Sequence, residues 1–148
     1  MNKVSADIAR GLAAAGVMLS AVVHLDLWAL QGFRDLSVIG PLFLLNGIAG
    51  IVLATVVVCW RHWLPALAAA GFGAATVGAF WISVLHGLFG LHEIATGSSQ
   101  VLAEIAEYVA VAFGLAASVG LRPARRGRRT GPVAPGAAVH RHRVGLPR

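Results

Sequence analysis

Two carboxylates and two imidazoles stand where the sequence is otherwise apolar: Glu104 and Glu107 in one block, His24 and His86 in two others. Imidazole and carboxylate together suit a transition-metal ion such as zinc, iron or copper(II). Helical bundles build such sites from inward-facing residues on neighbouring helices. His24, His86, Glu104 and Glu107 are therefore the candidate metal ligands, and His92 and Glu93 are placed to add to them. His24 and His86 alone, on different helices, form the minimal pair for a haem b. Glu107 by itself is the candidate proton-carrying group of a small proton-coupled transporter. No HExxH or ExxH spacing occurs, so the set rests on separated residues that the fold must bring together. The plainest alternative needs no cofactor. In it, Glu107 is a neutral carboxyl bonded to Asn46 or His24, and Glu104 reaches the headgroups.

The elements that must position these residues are four apolar blocks, at 11–30, 38–58, 64–91 and 101–121. A helix needs about 20 residues to cross a hydrocarbon core of about 30 Å, and each block meets that length. Of the 148 residues, 57% are hydrophobic and 12% charged, whereas a soluble domain carries about 25% charged residues. The expected fold is all-α: an antiparallel, integral membrane four-helix bundle over 1–121, followed by a tail over 122–148. The first block, behind MNKVSADIAR, has the outline of a signal peptide, but no small-x-small cleavage site follows and LDLWALQ prolongs the span. The single cysteine, Cys59, leaves no internal disulfide and no CxxC motif.

Charge sets the expected orientation. Eight of the twelve Lys and Arg fall in the last 27 residues, and Lys3, Arg10 and Arg61 share their side of the membrane. Arg34 is the one base on the other side, against Asp26, Asp35, Glu93, Glu104 and Glu107. The positive-inside rule then makes both termini cytoplasmic. The tail, rich in Pro, Gly and Arg, has no acid and too little apolar content to fold. It suits anionic lipid headgroups, at about 1 kcal/mol per basic residue, better than nucleic acid. His140 and His142, within HRHR, are read as incidental.

Depth along each helix follows from the rise per residue. Counted from the basic flanks, His24, Asn46 and Glu107 lie about 21–22 Å up, Ser83 and Glu104 about 27 Å, and His86 about 31 Å. All four helices thus carry a polar residue in the outer third. Asp26 points about 200° round from His24, toward the interface and Arg34. Small residues, Ala66, Ala70, Ala74 and Gly78 in the third block and Gly47, Gly50 and Ala54 in the second, offer ridges for close packing. Ser98 or Ser99 is placed to cap the fourth helix.

In HLDLW, GFRDLSVIGPLFLLNGIAGIV and GLFGLHE the chain resembles a group of small, uncharacterised four-helix integral membrane proteins of actinobacteria. The resemblance spans roughly residues 12–120 and implies a multi-pass protein of the bacterial plasma membrane, with no activity or site residue to carry over. The reading is a non-enzymatic structural or accessory component, with a membrane-protein partner or a second copy of itself as its expected protein contact. Metal-ion or haem b binding near the outer face is the first alternative, and proton-coupled transport the second.

Overall fold

The first helix of the computed structural model, α1 (Lys3–Leu30), begins well before the apolar block does. Asn2 caps it, its Oδ1 accepting from the Ser5 N–H at 2.7 Å, and this satisfies one of the donors that a helix start leaves open. The early start brings Ala6 and Ala9 into the core and places Arg10 beside the last turn of the second helix and Asp7 beside Arg61. A 3-10 turn over Phe33–Asp35, entered through Gly32 at a left-handed φ of 84°, leads to α2 (Ile39–Cys59). A short connection then leads to α3 (Trp63–His86), where His62 Nδ1 accepts from the Leu64 N–H at 3.2 Å. Pro41 and Pro65 both fall in first turns, where the missing N–H costs nothing. The fourth helix, α4, is Ser98–Gly120. The structure describes residues 1–89 and 97–123. His92, Glu93 and the arginines of the tail beyond Pro123 lie outside them.

Three local expectations need correction. The third helix stops at His86 and not near residue 91, because Gly87 takes a φ of 76° while its N–H closes the last turn on the Ser83 carbonyl at 3.0 Å. Gly97 occupies the cap position of α4 without a side-chain bond, and Ser99 Oγ instead accepts from Gln31 Nε2 at 3.0 Å. Asp26 accepts from the same Gln31 amide at 2.8 Å, while Arg34 lies 3.7 Å from its neighbour Asp35.

The helices pack in the order α2, α1, α4, α3, and the ring is closed only sparsely between α2 and α3. Among the buried positions, Ala6, Ala9, Ala13, Gly16, Ser20, Val23 and Leu27 run along α1, and Ala103, Ala106, Ala110, Gly114 and Ala117 along α4. Alternating steps of three and four residues keep one seam facing a partner helix. A strict four-residue ridge drifts off that seam by about 40° per step. This is why Ala66 and Ala70 of α3 are buried while Ala74 is exposed, and why nothing approaches Gly78. Where glycine does sit on a seam, backbone meets backbone. A Cβ at Gly16 would come within 2.6 Å of the Ala106 carbonyl, one at Gly73 within 2.6 Å of the Glu107 carbonyl, and one at Gly114 within 2.7 Å of the Ala66 carbonyl.

Size is distributed inside out. Alanine and glycine fill the interior, while Leu45, Ile48, Val52, Ile82, Leu85, Ile105 and Val119 are exposed. Lipid tails give helices no hydrophobic reason to associate, so small residues that permit close contact hold them together and large apolar ones face outward. All four helices are long and apolar enough to cross a membrane.

Candidate functional site

The end of the bundle that holds the chain's N-terminus is closed by charge. Arg10 Nη1 donates to the Val57 and Val58 carbonyls at 2.8 and 2.7 Å, satisfying acceptors that the C-terminus of α2 leaves open. Asp7 receives two bonds from Arg61, at 2.8 and 3.1 Å, and lies 3.6 Å from Arg10. The Asp7 carboxylate holds the Arg61 guanidinium above its ordinary pKa, mainly through that hydrogen bond. Arg122, just past α4, lies over the Trp63 ring at 5.4 Å.

The opposite end is open. The described residues enclose a cavity of about 220 Å³, lined from all four helices. His24 and Leu27 contribute from α1, and Ile39, Leu42, Phe43 and Asn46 from α2. Thr76, Ala79, Phe80 and Ser83 of α3 face Gln100, Ala103, Glu104 and Glu107 of α4. The cavity walls are mostly apolar, with a few polar groups converging, the usual make-up of a small-molecule pocket.

The polar groups fall into two sets, one around Glu107 and one around Glu104. Glu107 is 2% exposed; its Oε1 accepts from Ser20 Oγ at 2.9 Å, and the Thr76 hydroxyl lies beside the same carboxyl. Thr76 Oγ1 also donates to the Phe72 and Gly73 carbonyls, both at 3.0 Å. His24 Nδ1 lies 2.8 Å from the Ser20 carbonyl, which can only accept, so Nδ1 carries the proton and Nε2 is left as an acceptor. The imidazole stands edge-on to Phe43, ring centres 5.1 Å apart, and Phe43 stacks on Phe33 at 4.9 Å. Trp81 Nε1 donates to the Tyr108 hydroxyl at 3.1 Å, and both of these groups adjoin the Glu104 carboxyl. Glu104 Oε1 is buried and has no hydrogen-bond partner among the described residues.

No protein-family model matches this sequence, nor does any curated protein or solved structure. The site therefore has to be read from its own residues. His24, Glu104 and Glu107, three of the four candidate ligands, line one cavity. His86 does not join them; it is exposed at the last turn of α3. Among the described residues, no three His, Cys, Asp or Glu side chains gather into a group that could hold a metal ion. Glu107 bonds to Ser20, where the sequence suggests Asn46 or His24 as its partner. Ser20 and Thr76 carry no sequence signal beyond their spacing; Ser20 sits one turn before His24 on the buried seam of α1.

Proposed function

We propose that the chain is a non-enzymatic, multi-pass protein of the bacterial plasma membrane, an accessory component whose helical bundle holds a small-molecule pocket in its outer half. One observation carries this reading: a mostly apolar cavity lined from all four helices, with His24, Asn46, Glu104 and Glu107 among its lining residues. The four apolar spans and the small-inside, large-outside arrangement support the membrane, and the resemblance to small actinobacterial membrane proteins agrees with it. The basic residues at Lys3, Arg10 and Arg61 and along the tail put both termini in the cytoplasm under the positive-inside rule. The cavity end then faces outward, and the tail rests on anionic headgroups.

The orientation is tested by cysteine labelling in intact cells, on a Cys59→Ser background, with a membrane-impermeant maleimide. Asp35→Cys is expected to label from outside and Arg128→Cys only after lysis. The reverse pattern would turn the pocket toward the cytoplasm and end this reading.

A further inference from the structure

The cavity's hydrogen-bonding inventory is lopsided. Ser20 Oγ is committed to Glu107, His24 Nδ1–H to the Ser20 carbonyl, Thr76 Oγ1 to carbonyls of its own helix and Trp81 Nε1 to Tyr108. Ser83 and Gln100 also line the cavity and have partners of their own; the remaining polar lining is acceptor-rich, with His24 Nε2 and the Glu104 carboxyl beside an Asn46 carboxamide able to act either way. Neither Lys nor Arg lines the cavity, while two carboxyl groups do. An anion would meet repulsion there, and a neutral alcohol could offer a single hydrogen. An ammonium group offers three donors and the opposite charge, and its bonds to carboxylate are of the strong, charge-assisted kind.

Size and walls narrow the class further. An apolar cavity of roughly 150 Å³ takes a benzene ring, so about 220 Å³ holds one ring with a short arm. Phe43 and Phe80 supply aromatic faces against which a ring or a cation can lie. On the reading of this cavity as a ligand pocket, we infer that its ligand is a small monocationic amine with a single-ring apolar body, its ammonium between Glu104, Asn46 and His24 and its ring toward Phe43 and Phe80. Entry is between α2 and α3, where the bundle is least closed.

The test uses the full chain in nanodiscs of zwitterionic lipid, with empty nanodiscs as blank and isothermal titration as readout. Three probes share one skeleton: 2-phenylethylamine as its ammonium, 2-phenylethanol and phenylacetate. The ammonium is expected to bind saturably, the alcohol about tenfold or more weakly, and the anion not at all. Glu104→Gln is expected to erase the preference for the ammonium, and Ala103→Phe, placed at a buried lining position to fill the cavity, to abolish binding of both. Alcohol binding as tight as the amine's, or an unchanged amine affinity in a folded Glu104→Gln, overturns the ligand class and leaves the pocket standing. Absence of saturable binding by every probe overturns the pocket as well. Circular dichroism shows whether Glu104→Gln folds, and if it does not, the amine–alcohol comparison on the unmodified chain decides alone.

Discussion

The two ends of this bundle handle buried polarity in opposite ways. At one, charges are paired: Arg10 caps the carbonyls that end α2 through Nη1, its Nε buried without a hydrogen bond but 3.6 Å from Asp7, and Asp7 joins Arg10 to Arg61 across the connection to α3. Helices there approach to backbone contact through Gly114 and the first turns of α3. At the other end side chains of all four helices leave a cavity, and Glu104, whose Oε1 is buried without a hydrogen-bond partner among the described residues, is among its lining. Paired charges with close packing serve stability. An unpaired buried carboxyl oxygen costs stability, and proteins retain such groups inside membranes mostly where they do something. On the reading proposed above, the contrast separates a scaffold from a site within one small chain.

The contrast is broken most severely at the closed end. Gly114→Leu would drive a side chain into the Ala66 carbonyl and the Ala70 backbone N–H, 2.7 and 2.8 Å from the new Cβ. Backbone cannot swing aside as a side chain can, so overpacking should exceed about 3 kcal/mol. Thermal unfolding in mild detergent is expected to find no cooperative transition for this variant. The matching change at the open end is Gly78→Ala, where nothing lies within 4 Å. It should be neutral, or stabilising by about 0.5–1 kcal/mol through helix propensity. A large loss for Gly78→Ala would mean that the open end is packed after all.

Much of the scaffold was legible in the sequence because length and hydropathy set it. The four apolar blocks each became a helix, and the glycines and alanine of the second block, Gly47, Gly50 and Ala54, lie on its buried seam. Counting residues from the basic flanks set His24, Asn46, Glu104 and Glu107 at similar depths, and they line one cavity. Depth alone carries no information about helix face or about where a helix ends. That is how His86 entered the candidate ligands: it stands on the exposed face of the last turn of α3, while Ser83 before it and Leu88 after it line the cavity. The partner of Glu107 was hidden for a related reason. Ser20 reads as a small residue of an apolar run, and only the packing of α1 on α4 brings its hydroxyl to the carboxyl.

One pair of variants tests the division between scaffold and site most directly: Arg10→Ala and Glu104→Leu, unfolded side by side in the same detergent. Arg10→Ala strips two charge-assisted bonds from the end of α2 and is expected to lose about 1.5–3 kcal/mol. Glu104→Leu removes a carboxyl that meets Tyr108 and Trp81 but has one buried oxygen unsatisfied, and should leave stability unchanged or raise it, as apolar replacement of imperfectly paired buried groups does. A clear loss for Glu104→Leu, comparable to that of Arg10→Ala, would contradict the account, since Glu104 would then be part of what holds the bundle together and not a group kept for a ligand.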